Sequence, residues 1–332
     1  MSDLLARFAE SAFWLARYME RAENLARIID VNETFARNRH SAEDWLPIVE
    51  INADGPRFFA AHETATVEAV IDFYVLDLDN PTSITSAVRT ARENARMLRH
   101  LISTEMWTHL NVFYNELREL TPADVRLGEL SRLCMKIKER CQAHTGITEG
   151  TLYRDQVWHF HELGRHLERA DQTTRLLDIK YHRLLPSPEY VGSPIDAGQW
   201  NALLRSAAGY HAFRRVHPRG MRPVTVAGFL LFNRAFPRSV AVSIGQAAAL
   251  VEELGARFGL AGGEAAAEAV RDLRDLLESG DIEDVLRAGL HEFLDSIQRR
   301  IIAITDELGR RFFGHGQAAA SGPNRSRARP PE

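Results

Sequence analysis

A charged fifteen-residue stretch at positions 17–31 returns at positions 165–179. Six of the fifteen positions are identical: Arg17/Arg165, Glu20/Glu168, Arg21/Arg169, Ala22/Ala170, Arg27/Arg175 and Asp30/Asp178. Five of those six are charged. A repeat kept for packing alone retains its apolar positions and lets its solvated charges drift, so the retained charges call for a role. Both copies lie in helix-period sequence. In the first, Leu15, Tyr18, Met19, Ala22, Leu25, Ala26 and Ile29 share one side of a helix. Arg17, Arg21 and Asn24 form a stripe on the opposite side, and Glu20, Glu23, Arg27 and Asp30 run beside it. Adjacent helical residues point about 100° apart, so Glu20 and Arg21 do not pair with each other.

The same periodicity predicts helices over about 2–39, 63–77, 104–120, 123–143, 150–184, 200–216, 240–258, 264–279 and 281–314, plus one capped by Thr82 or Ser83 and ending near 101. Residues 40–61 and 184–198, rich in Pro and Gly, read as loops, the first with one short turn at Trp45. No segment shows period-2 alternation between turn signals, so the expected class is all-α. Spacing extends the repeat: Trp45 lies 36 residues before Pro81 and Trp200 lies 37 before Pro237. Phe73 and Phe229 each lie eight residues before their proline. The expectation is a tandem duplicated helical bundle with units at 1–148 and 149–316 and a disordered tail at 317–332.

A net charge of −4 gives no general electrostatic reason to bind nucleic acid or an anionic membrane. No run of eighteen apolar residues offers a transmembrane helix, and charges interrupt the N-terminal stretch where a signal peptide would need an apolar core. Cys134 and Cys141 are two helical turns apart, too far for a disulfide, which fits reduced thiols in the cytoplasm.

Three constellations are candidates for chemistry. Arg17 and Arg21, one turn apart, repel unless an anion lies between them, and a carboxylate or phosphate held bidentately suits that geometry. Glu20 beside them would accept an ammonium or orient the arginines. Asn24 and the second copy, Arg165, Glu168 and Arg169, complete this set. The alternative is that these charges form interhelical salt bridges that set helix packing. Arg92, Glu93 and Arg96 form a second polar face, for which the uncharged counterpart after Ser239 offers no equivalent. His159, Glu162 and His166 share a helical face but are not a His-Glu-x-x-His motif, and no metal or other cofactor is expected.

The doubled Glu-Arg element, with Phe13-Trp14-Leu15-Ala16-Arg17-Tyr18-Met19-Glu20-Arg21-Ala22-Glu23-Asn24 as its first copy, resembles the bacterial Alpha-E family. Asn80-Pro81-Thr82-Ser83-Ile84, Ala91-Arg92-Glu93-Asn94-Ala95-Arg96 and Phe236-Pro237-Arg238-Ser239-Val240 look typical of it too. The resemblance implies an all-helical domain, usually duplicated in tandem, with Glu20, Arg21, Glu168 and Arg169 on its signature motif. It brings no established catalytic residue. It implies a genomic setting of circularly permuted ATP-grasp carboxylate–amine ligases, a transglutaminase-like protein and a proteasome-like peptidase. The leading expectation is thus an accessory or substrate-presenting protein of a peptide synthesis or modification system, with an ATP-grasp ligase and a transglutaminase-like protein as partners. An enzyme using Glu20 or Glu168 as acid or base is one alternative, and a pure scaffold is another.

Overall fold

The computed structural model describes residues 4–36, 45–183, 194–259 and 263–315. Among them every regular element is helical. The 317–332 tail, Gly262 and most of the 184–198 loop lie outside the described residues.

Two long helices form the centre, α1 (Ala6–Ala36) and α8 (Gln156–Arg183). They run in the same direction. Leu4 N–H donates to Gln156 near the start, Gly164 lies on Phe13 further along, and Arg169 reaches Glu20 beyond that. The approach is close because Gly164 has no side chain. A Cβ there would sit 2.2 Å from the Phe13 carbonyl oxygen, a backbone atom with no rotamer to escape through.

Each central helix carries its own cover. α5 (Ile84–Met97) and α7 (Leu127–Thr151) pack on α1, and α6 (Thr104–Arg118) bridges them. α12 (Val240–Phe258) and α15 (Leu290–Phe312) pack on α8, and α13 (Glu264–Ser279) bridges those. The short helices cross over: α2 (Leu46–Ile51), entered at buried Trp45, rests on α8, while α9 (Pro194–Ser206), carrying buried Trp200, rests on α1. Small residues, including Ala12 and Ala16 on α1, Ala91 and Ala95 on α5, and Ala247 on α12, let the helices close on one continuous core.

The Pro-x-Ser turns have a shared local cause. Ser83 caps α5 by accepting from Ser86 N–H, and its hydroxyl donates to the carbonyl of Asp77 six residues back. Ser239 caps α12 by accepting from Val242 N–H and donates to the carbonyl of Asn233, also six back.

Several boundaries differ from the sequence reading. The stretch read as a loop at 40–61 holds α2 and α3 (Gly55–Ala61), each with Pro in its first turn, where a missing N–H costs nothing. The helix expected over 63–77 is α4 (Val67–Ile71) running into a π-helical turn, Asp72–Leu76. Residues after Thr121-Pro122 form turns, so α7 starts at Leu127 rather than near 123. α7 then continues through Gly146 and Gly150 to Thr151, past its expected end at 143, held by buried His144 and Thr148. The 200–216 segment divides into α9 and α10 (Tyr210–Val216), and α11 (Pro223–Phe232) follows. Gly289, at φ 116°, divides the expected 281–314 helix into α14 (Ile282–Ala288) and α15.

Replacing Gly164 by Ala tests the close approach. The added methyl must push α8 away from the α1 backbone, and the expected loss is about 3 kcal/mol of unfolding free energy in urea titration. A change under about 0.5 kcal/mol would mean the helices are free to separate there.

Candidate functional site

The repeated charges meet at the seam between α1 and α8, and they meet each other. Glu168 is fully buried. Its Oε2 accepts from Arg17 Nε at 2.7 Å and from an Arg21 terminal nitrogen at 3.1 Å. Its Oε1 accepts from Arg21 Nε at 2.7 Å and from the Gln172 amide at 3.1 Å. Glu20 is bound reciprocally: Arg169 donates to Oε1 at 2.9 Å and to Oε2 at 2.6 Å. Asn24, at Gln172's place in the repeat, donates to Glu20 Oε1 at 3.1 Å. Further along, Arg27 pairs with Glu23 at 2.6 Å and Arg175 pairs with Asp171 at 2.7 Å.

The equivalence is broken at two arginines. Arg17 also donates to Thr305 on α15 at 3.3 Å and lies over the Trp14 ring. Its counterpart Arg165 turns away to Glu162 and stands 3.6 Å from Glu149. Its place at Glu20 is taken by Arg238, which donates to Glu20 at 2.9 Å, Glu23 at 2.6 Å and Asn24 at 3.1 Å.

Arg17, Glu20, Arg21, Asn24, Glu168 and Arg169 are thus brought together, while Arg165 joins a neighbouring group. Arg92, Glu93 and Arg96 are elsewhere, on the outer side of α5 against α6, where Arg92 bonds to Asn111 and Glu93, and Glu93 also takes Arg96. Arg238 escaped the sequence reading. The only hint was its position in the Pro-x-Ser turn, where the first half has Thr82.

Electrostatics follow from this pairing. Burial works to raise the Glu20 and Glu168 carboxyls, but the arginines outweigh it: Arg169 and Arg238 hold Glu20 well below the usual carboxylate range, and Arg21 and Arg17 do the same to Glu168. Both are anions in the folded protein, with their oxygens committed to protein donors. Neither is poised as a general acid or base near neutrality.

Beside this network lies a second polar group. Glu162 bonds to Arg165 and, at 3.1 Å, to His161; His166 stands 3.9 Å from it. The buried His144 ring lies between His161, tilted to it at 5.7 Å, and His109, stacked on it at 6.2 Å. Neither His144 nitrogen has a hydrogen-bond partner, nor do Nε2 of His161 and Nδ1 of His166. His159 points elsewhere, to Glu253 on α12 at 2.9 Å, so His159, Glu162 and His166 do not converge. Among the described residues, no group of three or more His, Cys, Asp or Glu side chains is arranged to hold a metal ion.

Burial, then the Arg165 and Arg169 charges, pushes the His166 imidazolium down to about 3, against the opposing pull of Glu162 and Glu20. Burial, His161 and His109 lower His144 well below its ordinary value, with Glu162 opposing and Arg165 adding to the shift. A clear cleft, of about 270 Å³, lies beside Arg17 and is lined by Trp14, Thr305, Asp306, Arg310, Phe313 and His315. Another, of about 470 Å³, lies between α4 and the start of α7. Cys134 and Cys141 are buried and free, and burial raises both thiols.

Two outcomes follow. Glu168→Ala strands Arg17 and Arg21 in a buried seam and should cost about 3–5 kcal/mol in urea unfolding. Acid should destabilise the protein in two stages. A histidine held neutral by the fold takes up its proton only on unfolding, so its contribution is complete above its unfolded value near 6.5 and declines as pH falls toward the folded value, about 3 for His166. The carboxylates Glu20 and Glu168 begin to withdraw stability only below about 4.5, their unfolded value. Between pH 6.5 and 5, therefore, His144 and His166 should each contribute a slope of up to about 1.4 kcal/mol per pH unit. His166→Gln should flatten that part of the thermal-stability profile; an unaltered slope would remove His166 from this account.

Comparison with known proteins gives the network its setting. The model of the Alpha-E family, described as a predicted alpha-helical domain with a conserved ER motif, matches residues 4–313. An uncharacterized protein of Mycobacterium bovis and one of Mycobacterium tuberculosis are each 22% identical over 326 residues, and a second of M. tuberculosis is 21% identical. The match takes in 91% of this chain but 36% of each relative, so the chain spans about a third of the length of these proteins. No solved structure matches. The ER dipeptides Glu20-Arg21 and Glu168-Arg169 are the core of the reciprocal lock, and the chain belongs to the Alpha-E family.

Proposed function

We propose that this chain is an accessory helical module of a bacterial peptide synthesis or modification system, and that it docks a circularly permuted ATP-grasp carboxylate–amine ligase. The observation that carries the reading is the saturation of the Glu-Arg motif. Glu20 and Glu168 each hold arginines of the opposite half, so the motif supplies rigidity and leaves binding to the outer faces. That favours a docking frame over a groove in which Arg17, Arg21, Arg165 and Arg169 clamp a substrate carboxylate. The relatives support a joint role, since in them the matching region is part of a chain nearly three times as long. The ligase, the transglutaminase-like partner and the peptide context come from the family resemblance.

On this reading the halves are tandem copies. The exchange of α2 and α9 between the central helices, the shared serine caps and the reciprocal ER pairs support that. The division then falls in the turn at 152–155 between α7 and α8. Among the described residues no helix is long and apolar enough to cross a membrane, and the two free thiols suit the cytoplasm.

The test is coexpression with a circularly permuted ATP-grasp ligase from the same genome. Expected are co-elution on size exclusion and ligation, measured as ADP release with a carboxylate and an amine present, that rises several-fold over the ligase alone. Separate elution with an unchanged rate would refute the docking role. Arg21→Ala, compared at a temperature where it is folded, should retain the complex if the motif acts only as a lock.

A further inference from the structure

α5 and α6 pack as an antiparallel hairpin, and their outer valley carries two facing stripes. Arg89, Arg92 and Arg96 follow one face of α5, and Arg99 continues the spacing in the turn beyond it. Across the valley, Trp107, Asn111 and Tyr114 follow one face of α6. Arg92 is laid between the aromatics, with its guanidinium carbon 5.6 Å from the Trp107 ring centre and 5.4 Å from that of Tyr114, and its Nε bonded to Asn111 at 2.7 Å. Arg99 lies 5.6 Å from the same Trp107 ring.

Charge along this valley is unbalanced. Among the described residues, Glu93 is the carboxylate paired with the stripe, and it takes both Arg92 and Arg96. Arg89 is bonded to the Leu78 carbonyl and Ser86 rather than to an acid. Arg96 is two-thirds exposed, and Met97 beside it is 45% exposed. Counted from the capping serine, the counterpart helix α12 has Gly245, Ala248, Glu252 and Gly255 where the first half has Arg89, Arg92, Arg96 and Arg99. The basic valley is therefore a local feature of the first half, set on a chain of net charge −4.

We infer that the Arg89/Arg92/Arg96/Arg99 stripe with Trp107 and Tyr114 is a docking surface for an acidic segment of a partner protein. This deepens the docking role proposed above and rests on it for the partner's identity. Half-buried Trp and Tyr with stacked arginines are the residue types that anchor protein interfaces. The ring contacts hold Arg92 and Arg99 in the valley, so these two lose little side-chain freedom on docking, while exposed Arg96 and Arg99 offer donors to a carboxylate. A single-stranded nucleic acid is the less suited polyanion. Its bases need open aromatic faces, and the Trp107 ring already carries Arg92 and Arg99.

Fluorescein-labelled octaglutamate, titrated with the full chain by anisotropy, is the direct probe. Binding should weaken as salt rises from about 50 to 200 mM. The Arg96→Glu/Arg99→Glu variant should bind at least about tenfold more weakly, and Arg96→Gln/Arg99→Gln should fall between it and wild type. The control Arg299→Glu/Arg300→Glu, on α15, should match wild type, with all thermal midpoints alike. Absence of wild-type binding, equal loss in the control, or tighter binding of labelled oligothymidylate would each overturn the surface. The two proposals fail separately. A ligase that co-elutes while octaglutamate does not bind leaves docking intact and removes this valley. Octaglutamate binding that depends on Arg96 and Arg99, without ligase co-elution, leaves the valley and removes the ligase.

Discussion

The structure depends on an exchange: each central helix gives its glutamate to the other's arginine. Glu and Arg are sequence neighbours, so on a helix they point about 100° apart and cannot satisfy one another. When two such helices run in parallel, one residue of each pair falls on either side of the seam. A half-turn about the seam then carries Glu20 onto Glu168 and Arg21 onto Arg169, so each carboxylate faces a foreign guanidinium. The adjacency that forbids a local ion pair is what makes a reciprocal one work. Register is fixed with it, because sliding either helix by a residue separates both pairs at once.

Such a lock is specific rather than cheap. Removing carboxylates and guanidiniums from water costs several kcal/mol per ion, and the attraction in the seam offsets that cost only when nearly every donor and acceptor is used. The network meets this condition with supporting residues: Gln172 and Asn24 fill remaining acceptor sites, and Arg238 enters from the α12 turn to bridge Glu20 and Glu23. Arg238 also ties the cap of α12 to α1, and Arg17 reaches Thr305 on α15, so the lock joins four elements. The asymmetry at Arg17 and Arg165 has the same origin. Once Arg238 serves Glu20, Arg165 is released to neutralise the buried Glu162.

Much of this was legible in local pattern. Helices announce themselves by period, and the Pro-x-Ser turns by the capping chemistry of serine: α12 and α13 stand at the expected limits, and Ser83 and Ser239 cap where the sequence puts them. The stripes were legible too, as was the choice between facing a ligand and facing each other. The choice itself was not, because it depends on how α1 and α8 meet, 148 residues apart in sequence. Arg238 was invisible for the same reason, its partners lying more than two hundred positions away. Helix limits misled where Gly or Pro was read without context. Gly146 and Gly150 project into open space and leave α7 unbroken, while Gly289 takes a φ that ends a helix. Pro47 and Pro56 fall in first turns, where proline begins helices instead of ending them.

The polar residues of this chain divide between a buried seam and exposed faces. In this chain the dipeptides Glu20-Arg21 and Glu168-Arg169 have their hydrogen-bonding capacity spent inside the protein, in the seam between α1 and α8. What the seam leaves for contact with other molecules is the set of faces the lock does not use. The α5–α6 valley is such a face: Arg92 and Arg99 lie against aromatic rings, Arg92 also bonds to the Asn111 amide, and Glu93 is the one carboxylate paired to the stripe among the described residues. A buried lock and an open basic valley place opposite demands on the same residue type. In the seam an arginine must find every partner at home, and in the valley it must keep donors to spare.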